Sequence, residues 1–377
     1  MDPKDRTSTG GRVLIVSASM GAGHESVARE LARRLQRDGH QTEVVDFLDA
    51  FPWRLGQGLR RMYQLQLQYA PWSYEATYKM WMRATPLVAF VTFPMTWLTR
   101  RRLLEWIERF QADAVVATYV VAPLVLGRAR RLRLLAVPAA VVVTDFAVHQ
   151  LWTHPGMDLT VCVSPASAQL ARRYTRHTAA FGPLVADRFF AAPDRASARA
   201  ALGLPAQGAL ALMVSGAWGA GDVADSVAEV AATGRVTPIV VCGNNKELYE
   251  RLVGRPGMHV YGWTDQMPAL MAACDVVIEN AGGQSCMEAF AVGRPVVTYR
   301  PIPGHGKHNA SVMAQVGVNQ VAHGPAELDA ALARALGEPG QASAAAARRL
   351  FDGDAAGAIG ALVRPGGASV APAERSA

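Results

Sequence analysis

Cysteine is scarce in this chain of 377 residues, and Cys162, Cys242, Cys274 and Cys286 stand far apart with no C-x-x-C pair. That spacing excludes a disulfide framework and a thiolate metal cage, and it predicts reduced thiols serving as core filler. Long apolar runs are missing as well. Nothing approaches the roughly 20 uninterrupted apolar residues that span a bilayer; the nearest stretch, Thr85 to Leu98, is short and holds Pro86 and Pro94. Met1–Gly11 is polar, and the apolar run Val13–Val16 behind it is too short for a secretion signal, so a cytoplasmic chain is expected. Lysine is rare, since 34 of the 38 basic residues are arginine, which fits a bias of composition. Metal-ligand patterns are absent too. His149 and His154 have no carboxylate or cysteine companion at ligand spacing, and the one Asp-x-Asp, Asp352-Gly353-Asp354, lies in an Ala-rich region and reads as a turn. No cofactor and no metal are expected.

What is present describes a folded α/β protein. A hydrophobic content of 50% with 18% charge is globular rather than disordered, and the length suits two domains. Short apolar runs alternate with helical spacing through both halves. Val13–Val16, Glu43–Val45, Asp113–Thr118 and Ala139–Thr144 read as strands of the first half. Ala209–Val214, Pro238–Cys242, His259–Tyr261, Asp275–Ile278 and Pro295–Tyr299 read as strands of the second. The alternation predicts two parallel, doubly wound sheets joined near Pro183–Arg188, with ligands at the carboxyl ends of strands. The domains expected are 12–182 and 183–364, flanked by disordered residues 1–11 and 365–377.

Charge and aromatics are unevenly placed. Residues 1–182 carry 23 basic against 14 acidic side chains, a net of +9, and residues 183–377 carry 15 against 17, a net of −2. Composition bias explains arginine over lysine but not this asymmetry, which points the first half toward an anionic surface. The segment 53–110 breaks the strand–helix alternation and holds Trp53, Trp72, Trp81, Trp97 and Trp106, with Arg60-Arg61 and Arg100-Arg101-Arg102 interleaved. It reads as an amphipathic aromatic-basic insertion that seats on a membrane. Internal helix packing is the alternative use of the same aromatics.

The densest signal is Ile278-Glu279-Asn280-Ala281-Gly282-Gly283-Gln284-Ser285-Cys286-Met287-Glu288, a strand end, a small-residue turn and a helix start. Free N–H groups and the helix dipole make such a junction an anion site suited to a diphosphate. Glu288, one turn further in, could then accept hydrogen bonds from ribose hydroxyls. The loop Pro301-Ile302-Pro303-Gly304-His305-Gly306-Lys307-His308-Asn309 follows. Another Gly-rich turn, Ser19-Met20-Gly21-Ala22-Gly23-His24, ends the first strand without the spacing of a dinucleotide-binding fingerprint. His24 suits a general base, since its ordinary pKa is near neutral.

These motifs, together with Thr144-Asp145-Phe146, His149, Trp152 and Gly182-Pro183-Leu184-Val185, resemble the family 28 glycosyltransferases. That family includes monogalactosyldiacylglycerol synthases and bacterial diacylglycerol glucosyltransferases. The resemblance covers about residues 11–320. It implies a GT-B fold and an inverting, metal-independent transfer of a hexose from a UDP-sugar to a membrane lipid hydroxyl, with diacylglycerol the expected acceptor. The enzyme would sit peripherally on the inner face of the cell membrane. His24 is implied as base, and Asp145 as a second base, as orienter of His24, or as a helix cap. The acceptor side would include Gly21, Gly23, Phe146, His149 and Trp152. The donor side would include Ser215, Gly216 and Gly219 of a Gly-rich loop, then Gly262, Trp263 and Met267 for the base. Gly282, Gly283, Gln284, Ser285, Glu288, His305, Lys307 and Asn309 complete it. Trp218 and the run His305-Gly306-Lys307-His308 depart from the family pattern and leave galactose, glucose and N-acetylglucosamine open. A soluble acceptor, or a non-catalytic nucleotide-sugar binding protein, is the alternative.

Overall fold

The computed structural model describes residues 10–82, 86–214 and 223–363. The loop holding Ser215, Gly216, Trp218 and Gly219 lies outside them, as do residues 1–9 and 365–377 of the termini expected to be disordered; Gly11, expected among them, is ordered, its carbonyl accepting from Gln41 N–H at 3.0 Å. Two six-stranded parallel sheets form the frame. The first contains β1 (Arg12–Ser17), β2 (Gln41–Asp46), β3 (Ala114–Ala117), β4 (Ala139–Val142), β5 (Leu159–Cys162) and β6 (Thr178–Ala180), ordered β2-β1-β3-β4-β5-β6. The second contains β7 (Leu210–Val214), β8 (Thr237–Val241), β9 (His259–Tyr261), β10 (Val276–Glu279), β11 (Val296–Tyr299) and β12 (Gln320–Ala322), ordered β12-β11-β10-β7-β8-β9. Each order switches direction once, between β1 and β3 and between β7 and β10, which opens a crevice at those carboxyl ends. Runs such as AVVA and VVTY are buried throughout, as expected for strands covered by helices on both faces.

Helix α1 (Ala22–Arg37) lays Val27, Leu31 and Leu35 against Val13 and Ile15 of β1. Between β2 and β3 stand α2 (Leu55–Tyr69), α3 (Pro71–Met82) and α4 (Pro86–Phe110). The end of α4 is anchored in the first core through Leu103, Trp106 and Ile107. The rest of the group is unusually bare. Of the sixteen large apolar side chains that are exposed among the described residues, ten lie between Trp53 and Trp97. Trp53, Trp72, Phe90 and Trp97 are 87%, 74%, 77% and 61% exposed. Of the five tryptophans noted in this segment, Trp106 packs inward and Trp81 is half-buried.

One domain boundary needs correction. The helix Ala355–Gly360 belongs to the first domain, where Ala355, Ala356, Ala358 and Ile359 share a core with Val13, Ile15 and Val27. Small side chains let this helix lie close to α1, and Asp354 caps it by accepting from Gly357 N–H at 2.9 Å. The chain therefore crosses between domains twice. The crossings lie side by side: a Cβ on Gly182 (φ +81°) would fall 2.0 Å from the Leu350 carbonyl, and one on Gly353 would fall 2.5 Å from that of Phe181. Only glycine fits where two backbones pass this closely. Ile359→Ala should lower unfolding free energy by about 2–5 kcal/mol, the usual cost of truncating a buried isoleucine. Guanidinium titration checks this, and an unchanged midpoint would place the last helix outside the first core.

Candidate active site

A cavity of about 970 Å³ occupies the crevice, walled by the turns after β1, β4, β8, β9 and β10 and by the inner sides of α2, α3 and α4. His24 stands on the first-domain wall at the start of α1. Its Nδ1 is 2.9 Å from the Thr118 carbonyl, with the Thr144 hydroxyl at 3.4 Å. A carbonyl can only accept, so Nδ1 carries the proton and Nε2 is left as the acceptor. Tyr119 and Trp152 box the ring at centroid distances of 5.6 and 5.9 Å. Burial pushes the imidazole pKa below its ordinary value, and the Asp145 carboxylate partly opposes that. His24 is therefore neutral, and able to take a proton, across the neutral range.

The second-domain wall is the turn between β10 and the helix Gln284–Val292. Glu279, buried at the end of β10, accepts from the Ala281 and Gly282 N–H groups at 2.7 and 2.5 Å and from the Thr298 hydroxyl at 2.6 Å. This carboxylate shapes the turn so that Gly283, Gln284 and Ser285 begin the helix with N–H groups that lack intrahelical partners. Glu288 lines the cavity one turn on. Burial pushes its carboxyl up to about 7, with the Arg188 guanidinium pulling the other way. The two walls are close, since a Cβ on Gly23 would lie 3.4 Å from Gln284 Cβ.

Asn309 crosses the seam. Its Oδ1 accepts from Ala147 N–H at 2.8 Å, and its Nδ2 donates to Asp145 Oδ1 at 3.1 Å and to the Ala281 carbonyl at 3.2 Å. The remaining Asp145 oxygen accepts from Trp152 Nε1 at 3.2 Å. Asp145 is thus neither a helix cap nor a hydrogen-bonded orienter of His24, and acts on it through its field.

Several expected positions change role. Asn309 is fully buried and saturated within the protein, so it holds the two walls together instead of gripping a donor. Phe146 turns into the second-domain core against Phe290. Lys307 points away from the cavity and pairs with Glu75 of α3 at 3.0 Å. Gly262 and Gly282 are not part of the wall, whereas Gly21, Gly23, His149, Trp152, Trp263, Met267, Gly283, Gln284, Ser285, Glu288 and His305 are. His149 is neutral, its pKa pushed down to about 4 by burial. Glu279, Thr118 and Arg188 escaped the sequence reading. Of these only Glu279 left a signal, as an acidic residue closing an apolar strand before a Gly-rich turn.

Two parallel α/β domains facing across such a cleft define the GT-B architecture. The similar solved structures agree: an Acinetobacter baumannii MurG covers 94% of this chain and 99% of its own at TM-score 0.59 and 17% identity. An Anabaena protein, Alr3699/HepE, in complex with UDP covers 90% and 93% at TM-score 0.53 and 16% identity. Residues 24–178 match the monogalactosyldiacylglycerol (MGDG) synthase model, and residues 216–349 match the glycosyltransferase family 28 C-terminal domain. The chain belongs to the family 28 glycosyltransferases. A processive diacylglycerol beta-glucosyltransferase of Bacillus subtilis is 24% identical over 81% of this chain and 81% of its own, and one of Bacillus pumilus is 23% identical over 82% of each.

Asn309→Asp keeps the shape of the bridging amide but sets two carboxylates about 3 Å apart and removes the donor to Ala281. It should lower the thermal midpoint at least as much as Asn309→Ala, which costs about 1–3 kcal/mol by stranding buried partners. Calorimetry of both variants checks the order; an Asn309→Asp midpoint at the wild-type value would mean that the amide bridge does not hold the two walls together.

Proposed function

We propose that this enzyme moves a hexose from a UDP-sugar to a membrane lipid hydroxyl, diacylglycerol being the acceptor that best fits, with inversion and without a metal. The observation that carries this reading is the pairing of His24 Nε2 with a helix N-terminus across one narrow cleft. The acceptor hydroxyl attacks the anomeric carbon as Nε2 takes its proton. The bond to the diphosphate breaks on the opposite face, which inverts the carbon. Negative charge growing on the leaving UDP is met by the N–H groups at Gly283–Ser285 and by the Ser285 hydroxyl. Glu288 accepts from ribose hydroxyls. Trp263 and Met267 flank the base.

The acceptor side supports a lipid. The cavity continues between Leu59, Met62, Met95 and Trp81 of the three helices, whose outer faces carry the exposed aromatics beside exposed Arg54, Arg61, Arg101 and Arg102. Such surfaces seat peripherally at anionic bilayers, and the inner face of the cell membrane is the site this reading assigns. No helix among the described residues is long and apolar enough to cross a membrane. The curated relatives named as diacylglycerol glucosyltransferases support the acceptor class, and the Anabaena structures with UDP and UDP-glucose support the donor class.

His24→Ala should cut turnover about 10²–10⁴-fold while UDP affinity stays near wild type. The acid limb of wild-type turnover should fall below 6.5, since burial lowers the His24 pKa from there. Product analysis by mass spectrometry with diacylglycerol vesicles and each UDP-hexose checks the reading. UDP release without a glycolipid would move the acceptor to a soluble molecule, and tight UDP binding without turnover would leave a binding protein. UDP affinity should weaken as pH falls below about 7, because ribose hydroxyls bind the Glu288 carboxylate and not the acid. Glu288→Gln should flatten that dependence in calorimetric titration; an unaltered pH profile would remove Glu288 from the ribose site.

A further inference from the structure

Helix α3 touches both domains, and its contacts to the second fall within one turn of the helix His305–Gln315. The Tyr74 hydroxyl meets His305 Nδ1 at 2.8 Å and the Tyr78 hydroxyl meets His308 Nδ1 at 3.1 Å. Between them, Glu75 pairs with Lys307 at 3.0 Å. Both tyrosine rings stand edge-on to their histidines, at centroid distances of 5.7 and 6.3 Å. The backbone is fitted as closely: Gly304 (φ +72°) leaves no room for a Cβ, which would fall 2.8 Å from Tyr74 Cε1 and 3.0 Å from Tyr78 Cβ. Three side-chain pairs and a glycine contact therefore fasten the donor domain to a helix of the acceptor domain. Tyr74, Tyr78 and His305 also line the cleft itself.

The same helix opens the exposed aromatic face. Trp72, in the first turn of α3, is 74% exposed, and Tyr69, at the end of α2, is 73% exposed. Anything that seats on this face bears on the helix that holds the cleft closed. We propose that Tyr74, Glu75 and Tyr78 are positioning residues that couple the membrane-facing helices to cleft width. Seating of α2–α4 on a bilayer and closure of the donor domain over its substrate are then linked, through His305, Lys307 and His308. The inference rests on the membrane seating in the proposed function, and linkage makes it reciprocal: whatever vesicles do for donor affinity, donor does for vesicle affinity.

Hydrogen exchange of residues 305–315 in the full chain, with no nucleotide present, reads the coupling directly. Anionic vesicles of phosphatidylglycerol should slow exchange in this helix about tenfold in wild type, and the Tyr74→Phe/Tyr78→Phe variant should lose that response while still floating with vesicles. Lys307→Ala, at a half-exposed position that strains no core, should lose part of it and guards against a misfolded double variant. Equal slowing in all three proteins, or no slowing in a wild type that floats, overturns the coupling. A wild type that does not float overturns it along with the membrane seating. A parallel UDP titration of wild type without vesicles tests the donor site separately, so failure there would strike the donor reading and leave the exchange result standing.

Discussion

Asn309 ties the loop after β4 in one domain to the turn after β10 in the other, through two backbone groups and one carboxylate, and the geometry of the cleft hangs on it. Its amide fixes Ala147 and Asp145 of the first domain to Ala281 of the second. An amide can both donate and accept, which a carboxylate or a hydroxyl of the same reach cannot do in this pattern. Because the group is wholly buried, each lost bond strands a partner away from water. His24 on one wall and the helix N-terminus at Gly283–Ser285 on the other face each other across a cleft that this bond set spans. The two backbone crossings, at Gly182 and Gly353, lie side by side, and the pairs that α3 makes with His305, Lys307 and His308 form a second tie across the cleft.

Two carboxylates show how environment divides labour within the site. Glu279 spends one oxygen on the N–H groups of its own turn and the other on the Thr298 hydroxyl of β11, so its carboxylate is used up in building the helix start. Glu288 has lost water without gaining comparable donors, and its raised pKa reflects that deficit. A ligand that brings hydroxyl donors would supply what the folded protein withholds. The histidines differ in what holds them. All three engage Nδ1, but His24 meets a backbone carbonyl, which fixes the proton there, whereas His305 and His308 meet tyrosine hydroxyls of α3, which can donate or accept.

The doubly wound sheets were legible because buried parallel strands are short runs of Val, Ile and Ala set between Gly-rich turns. Strands β5, β6 and β12, with the sequences LTVC, TAA and QVA, were not read. The turns that line the cleft could be read because glycine and small polar residues mark where the chain turns tightly after a strand. What sequence could not convey was direction across the cleft. Lys307 and Asn309 sit in the donor loop, yet one turns outward to Glu75 and the other inward to the seam. Phe146 neighbours Asp145 but faces the opposite core. The last helix falls in an Ala-rich stretch expected to belong to the second domain, and only tertiary packing shows that it completes the first.

The central claim is a single displacement at the anomeric carbon, with His24 taking the acceptor proton while the opposite wall holds the departing diphosphate. The anomeric configuration of the lipid product, read by proton NMR from an α-linked UDP-hexose, tests it most directly. The account predicts a β-glycoside. An α-glycoside would require a double displacement or a front-face attack, and would contradict the placement of base and leaving group across this cleft.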